Sequence, residues 1–360
     1  MMRHIRRMTA LLACAAMTAG VLPCTTAADA PKIVVLGDSI TLGDYFENGE
    51  KTYLEIYADQ TGAEVTDFSE YYGHTEAFLA KLDQDEVKAA LSDADIIIVE
   101  AGMRDIMDPF FDELRTIADE LELTDSKDLF TKPLAELGFK SANQLIPYSN
   151  RLGAAVRSNK ESVQTNLAAI GDRLSEYTNA KVVFINTFNC MNTVENYDQL
   201  DGDRQTGLRT IINPISAVCS NYANKAIRET ADAHGYAVVD AYSWIEKRAY
   251  RFSYPTLPRM NLTEEGQALI ARVLDQAVSG YALGDVNGDD AIDAKDASDI
   301  LTHSAEMGVG HAPILTGDDQ KAADVNMDGA VNASDASTIL VYSTSAGVGT
   351  APTFAELAKQ

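Results

Sequence analysis

The chain has 360 residues, 29 of them basic and 54 acidic, giving a formal net charge of −25. That length allows one sizeable core plus a smaller module, and 46% apolar with 8% aromatic residues describes a globular chain rather than a disordered one. The excess of negative charge argues against nucleic acid or an anionic membrane as the main partner.

Residues 1–30 read as an export signal. Arg3, Arg6 and Arg7 form a basic start, "MTALLACAAMTAGVL" is a short apolar stretch, and "TTAADA" offers a cleavage point between Ala27 and Ala30. The apolar stretch is too short to span a membrane. Lipid attachment at Cys14 or Cys24 fits less well, because little apolar chain precedes the first and Pro23 precedes the second. A secreted, extracellular protein is expected. Cys190 and Cys219 then remain, and in an oxidising exterior they either pair or stay separate as buried thiols.

From Pro31 to Tyr281 short apolar runs alternate with longer amphipathic segments. "KIVVLG", "AEVTDFS", "ADIIIVEAG", "AKVVFINTF" and "YAVVDA" are strand-like. Between them "HTEAFLAKLDQDEVKAALS", "KESVQTNLAAIGDRLSEYT" and "CSNYANKAIRETADAHG" are helix-like, and the excursion from about Met107 to Asn159 is largely helical. Such alternation predicts an α/β domain, flavodoxin-like, with three α/β/α layers around a parallel sheet of about five strands. Thr263 followed by two acids predicts the N-cap of a last helix, "LTEEGQALIARVLDQAVSGY".

After Gly284 the composition changes. "GDVNGDDAIDAKDASDIL" and "ADVNMDGAVNASDASTIL" match at an offset of 39, an internal duplication. In the first copy Asp285, Asn287, Asp289, Asp293 and Asp296 fall at loop positions one, three, five, nine and twelve, with the carbonyl of Ala291 at seven. In the second copy Asp324, Asn326, Asp328, Asn332 and Asp335 do the same, with the carbonyl of Ala330. Hard oxygens at this spacing are those of an EF-hand-like loop, so two Ca2+ sites are expected. Gly329 provides the sharp turn at position six of the second loop. Asp290 takes that place in the first and should strain it.

Aspartate rather than glutamate at position twelve makes residues 284–350 resemble a dockerin, a small all-α module that attaches secreted enzymes to the cohesin domains of a cellulosome scaffoldin. The resemblance implies a cohesin partner contacted by positions ten and eleven, here Ala294 and Lys295 in one copy and Ala333 and Ser334 in the other. Residues 351–360 form a C-terminal tail.

"VLGDSITLG" at the end of the first strand, the alternation and the late "LTEEGQALIA" together resemble the SGNH (GDSL) hydrolase superfamily, mostly esterases, lipases and carbohydrate acetyl esterases. The resemblance implies Ser39 as nucleophile position and Gly73 as oxyanion-hole position. Three departures stand beside it. Arg104, in "GMRD", occupies the place of the family's oxyanion asparagine. In "PRMNLTEEG", Asn261 stands at the family histidine and Pro258 at the family aspartate. An amide cannot take a proton near neutral pH, so Ser39 lacks the usual base. Of the five histidines, only His74 lies near the motif residues, and an ordinary turn role competes with a rescuing one. His234 reads as a structural residue at a helix end, and His303 and His311 fall in the duplicated module.

Three readings follow. The first is a secreted cellulosome component for polysaccharide degradation, a carbohydrate (acetyl) esterase-like domain with an unconventional base, acting on plant cell-wall polysaccharide. The second is a catalytically inactive module whose pocket, rimmed by Arg104, Asn261, Tyr71 and Tyr72, binds glycan or protein. The third is a structural subunit that only docks on cohesin.

Overall fold

The computed structural model describes residues 30–43, 50–123, 144–189, 213–246, 248–252 and 262–358. The expected export signal, Cys190, Pro258 and Asn261 lie outside the described residues.

Each of the five β-branched runs forms a strand. β1 (Lys32–Leu36) is followed by a single turn, α1 (Ser39–Leu42), then α2 (Tyr53–Thr61), β2 (Glu64–Asp67), α3 (Thr75–Lys81) and α4 (Asp85–Ser92). β3 (Ile96–Val99) leads to α5 (Met103–Glu120), and α6 (Ser149–Ser158) and α7 (Lys160–Tyr177) precede β4 (Lys181–Ile185). After α8 (Asn213–His234) and β5 (Ala237–Val239) come α9 (Ala241–Ile245), α10 (Ala249–Phe252) and α11 (Glu264–Ser279).

All strand pairs are parallel, in the order β2-β1-β3-β4-β5. Strands that stay parallel must return through crossovers, which is why a helix separates each from the next. The helices sort into two packed groups: α3 to α8 contact one another, and α2 packs on α11, which lies against β4 and β5. β1 and β3 are apolar nearly throughout and buried between the layers, whereas β2 is an exposed edge. The expected three-layer flavodoxin-like domain is therefore present. Its strand order reverses at β1 and β3, so a crevice opens beyond their C-terminal ends.

The stretch expected as one helix over residues 74–92 is two, α3 and α4, separated at Leu82–Gln84. Phe78 and Leu82 are spaced by four, as are Val87 and Leu91, and all four are buried. The five-residue step from Leu82 to Val87 is out of phase with a continuous helix, and the break restores the phase. A second irregularity is Pro109 inside α5. Proline has no N–H for the carbonyl four residues back, and Asn159 Nδ2 donates to that carbonyl of Asp105 at 2.9 Å instead.

Thr263 caps α11 as expected, its hydroxyl accepting from Gly266 N–H at 3.1 Å. One turn on, the fully buried Gln267 ties three elements together. Its Oε1 accepts from Tyr53 N–H at 2.8 Å, and its Nε2 donates to the Ile40 carbonyl at 3.2 Å.

Beyond α11 the duplicated module forms α12 (Ala294–Gly308), α13 (Asp318–Ala323) and α14 (Ala333–Gly347), with α12 packed on α14. The tail adds a short helix, α15 (Phe354–Leu357), which contacts both α14 and α9. No described helix is long and apolar enough to cross a membrane. Replacing Gln267 by Met strands the Tyr53 N–H in the core, and urea unfolding followed through the single tryptophan, Trp244, is expected to show a loss of about 1–3 kcal/mol.

Candidate active site

β1 delivers the chain into the crevice through Gly37-Asp38-Ser39. A Cβ on Gly37 would lie 2.1 Å from Thr41 Oγ1, so no other residue fits that approach. The Asp38 carboxylate accepts from Ile40 N–H at 2.9 Å and caps α1, whose first residue is Ser39. Ser39 is 8% exposed, at the lip of the crevice.

Behind the serine lies a buried polar network. Asp38 and Glu100, at the ends of the adjacent strands β1 and β3, are both buried. Burial raises the affinity of each for a proton. Glu100 is held well above the usual carboxylate range by burial and by the Asp38 charge. Thr41 Oγ1 donates to Glu100 Oε2 at 2.7 Å and receives the Tyr53 hydroxyl at 2.7 Å. The turn bearing Ser39 thus rests on hydrogen-bonded groups rather than on bare charge.

The second wall is the turn after β2. Tyr72 adopts φ 59°, a left-handed conformation unfavourable for an aromatic residue. That conformation directs its backbone N–H to Ser39 Oγ at 3.2 Å. Gly73 N–H donates to the Glu70 carbonyl at 3.1 Å, and a Cβ on Gly73 would strike Phe78 at 2.4 Å. His74 precedes α3, with Nε2 2.9 Å from Asp108 Oδ2.

The third wall is the start of α5. Gly102 turns the chain at φ 105°. Asp105 is buried and accepts Thr75 N–H at 3.0–3.1 Å and the Thr75 hydroxyl at 2.6 Å, clamping α3 to α5. Arg104 lies with its guanidinium 4.6 Å from the centre of the Tyr72 ring, a cation–π contact. Its Nη2 is 2.9 Å from Asp108 Oδ1, close enough for charge pairing but out of line for a hydrogen bond, and its buried Nε has no partner among the described residues. Burial raises the Asp108 pKa, while the charges of Arg104 and His74 oppose the rise.

Ser39, Gly73 and Arg104 thus meet at one crevice, linked through Tyr72. Pro258 and Asn261 are outside the described residues, and the chain resumes at the buried Leu262. Among the described residues the hydrogen-bond partner of Ser39 Oγ is a backbone N–H, not an imidazole. His234 is held by the Thr230 carbonyl and Asp172, both at 2.9 Å, His303 accepts from Leu315 N–H at 3.1 Å, and His311 pairs with Glu306. The Arg104–Asp108 pair was legible as an i,i+4 spacing. The Tyr72 N–H had no signal in the sequence, because any residue can present its backbone.

The two acidic loops are built alike. Asp285 accepts from the N–H groups of Gly288, Asp289 and Asp290, and Asp324 accepts from those of Asp328 and Gly329. Asn287 and Asn326 each accept from position five, and Asp289 and Asp328 each accept from position seven, the N–H of Ala291 and Ala330. Position twelve returns to position nine: Asp296 accepts from Asp293 N–H at 2.9 Å and Asp335 from Asn332 N–H at 3.0 Å. Asp290 at position six has φ 61°, so the strain expected in the first loop is present. Ala294, Lys295, Ala333 and Ser334 open the two helices and are exposed. Among the described residues no three acidic, histidine or cysteine side chains form a compact metal cluster. The donor sets here rely on asparagine and main-chain oxygens as well. Burial nevertheless pushes Asp335 up to about 7 and raises Asp324. Desolvated acids of this kind fit a divalent cation, whose charge removes the cost of ionising them.

Residues 35–269 match the model of the GDSL-like lipase/acylhydrolase family, and residues 283–342 match the dockerin type I domain, a class of domain that binds calcium. No curated protein matches the chain. Among solved structures, similarity extends to phospholipase A1 from Streptomyces albidoflavus NA297, at 18% identity over 69% of this chain and 99% of that one, with a TM-score of 0.46. The lipase Lip_vut3 from a goat rumen metagenome is 15% identical over 69% and 97%, with a TM-score of 0.44. Axe2, an acetylxylan esterase from Geobacillus stearothermophilus, is 12% identical over 69% and 94%, with a TM-score of 0.42. With the Gly-Asp-Ser turn on β1, the parallel sheet and a family model covering well over half its length, the chain belongs to the GDSL-like lipase/acylhydrolase family and ends in a dockerin type I domain.

Proposed function

We propose that this protein is a secreted cellulosome component whose hydrolase-fold domain binds an acylated plant cell-wall glycan without turning it over, while its dockerin holds it to a scaffoldin cohesin. The dockerin supports the location, because such modules bring proteins to extracellular complexes that degrade polysaccharide. One observation carries the inactive reading: the Ser39 hydroxyl meets a backbone N–H rather than a base, and the Gly73 N–H is already bonded to the Glu70 carbonyl.

Acyl transfer needs a base on the serine and donors aimed at the developing oxyanion. Ser39 Oγ accepts from Tyr72 N–H, Gly73 N–H is committed to Glu70, and Arg104 is drawn to Asp108 and the Tyr72 ring. At the motif histidine stands Asn261, and at the aspartate Pro258. What the crevice does present is a rim of aromatic surface, Tyr71 and Tyr72, 56% and 44% exposed. Aromatic faces stack on the apolar faces of sugar rings.

The His74–Asp108 pair favours a second reading. An imidazole oriented by a carboxylate is the arrangement of a general base, and His74 lies two residues from the N–H that touches Ser39. In that case Ser39 Oγ would form the acyl bond and His74 would take its proton and return it to the leaving alcohol.

Hydrolysis of p-nitrophenyl acetate and acetylated xylan separates the two. Wild type, Ser39→Ala and His74→Gln are expected to be equally inert. Turnover abolished by both substitutions would replace the first reading with the second. Calorimetry with acetylated xylo-oligosaccharides is expected to show binding that weakens roughly tenfold in Tyr72→Asn, where the ring is lost and asparagine tolerates the left-handed backbone.

In each dockerin loop, positions one, three, five, nine and twelve and the carbonyl at seven would hold one Ca2+. A bound ion would offset the charge of the buried acids Asp324 and Asp335 at the two ends of the second loop. Calorimetric titration is expected to find about two ions per chain, falling to about one in Asp328→Ala. Chelation is expected to lower the melting temperature of the module.

A further inference from the structure

The two calcium loops differ in what lies outside them. Position four of the first loop is Gly288, φ 70°, with open space where a side chain would stand. Position four of the second is Met327, 2% exposed and held at φ 57°, a left-handed backbone on a residue that resists it. Its carbonyl receives two hydrogen bonds from the hydrolase domain: Arg272 Nε at 2.9 Å and Nη2 at 2.6 Å. The same guanidinium lies 3.9 Å from Asp324 Oδ2, and a Cβ on Gly329 would stand 3.2 Å from its Nη1. Three residues further along α11, Asp275 pairs with Lys321 of α13 at 2.8 Å.

We propose that the second calcium loop is an intramolecular latch: its cation docks the dockerin on α11 of the hydrolase domain through Met327 and Arg272, and the first loop takes no part.

The geometry follows from alternation around the ion. Asn326 and Asp328, at positions three and five, must turn their side chains inward to a bound cation. The residue between them then turns its carbonyl outward, and in the second loop that direction meets Arg272. Without a cation Asp324, Asp328 and Asp335 repel one another, and the Arg272 hydrogen bonds alone oppose the strain of Met327's left-handed backbone. The tail is a separate attachment. Phe354 stacks on Tyr342 at 4.9 Å, α15 contacts α9, and Arg248 Nη1 donates to the Ala358 carbonyl at 3.3 Å. It keeps the domains adjacent whatever the state of the loop, so the latch is read locally.

The inference rests on calcium binding by the loops, and hydrogen exchange on the full chain, run beside calorimetry, keeps the two questions apart. With calcium, the backbone of 324–329 is expected to be protected. Chelation is expected to speed exchange there at least about tenfold. Arg272→Gln should bind two ions yet exchange quickly at 324–329, Asp328→Ala should do so with one ion, and Asp289→Ala, in the first loop, should lose one ion and remain protected. Two ions bound with protection indifferent to Arg272→Gln would overturn the latch alone. Failure of the second loop to bind calcium would overturn both the latch and the calcium assignment.

Discussion

The pairing of β1 with β2 on one side and β3 on the other decides where the chemistry can sit. Because each neighbour is reached by a crossover on the opposite face, the connections leaving β1 and β3 diverge and cannot close over the strand ends. Gly37-Asp38-Ser39 leaves β1 at that opening, and Gly102 and Arg104 leave β3 beside it. The turn after β2 completes the crevice, with Tyr72 and Gly73 against the serine. Every group of the candidate site is thus carried there by the order of the strands.

Behind the crevice the support is polar, and this is where the fold accepts cost. Two carboxyl groups, Asp38 and Glu100, are buried at neighbouring strand ends, where the Ile40 N–H, Thr41 and Tyr53 complete the hydrogen bonds. Asp105 clamps α3 to α5 through Thr75, and Asn159 repairs the carbonyl that Pro109 leaves without a donor. This frame surrounds Ser39, whose hydroxyl accepts from the Tyr72 N–H.

The dockerin joins this frame by contacts unequal between its two copies. The first loop keeps a glycine at position four, facing open space. The second has a buried methionine at that position, with an arginine of the other domain on its carbonyl. A duplication symmetric in ligands is asymmetric in surroundings, since Arg272 of α11 bonds to the second copy.

What could be read from the residues alone was whatever depends on local spacing. Five β-branched runs became five strands, Thr263 became a cap, and the ligand spacing of each acidic loop reappeared as matching sets of carboxylate-to-backbone hydrogen bonds. The left-handed Asp290 was legible too, because the turn at position six requires that backbone whatever residue supplies it. The break between α3 and α4 was hidden, since a five-residue step between buried leucine and valine shows only when the core face is known. Contacts between distant segments were equally hidden: Tyr72 N–H on Ser39, His74 with Asp108, Gln267 across α1 and α2, and Arg272 on Met327. Spacing along the chain determines periodic elements and ligand loops, because their partners are a few residues away. Which donor meets which acceptor across the molecule is decided only when the layers pack, since a backbone N–H or a guanidinium has no sequence signature for its partner.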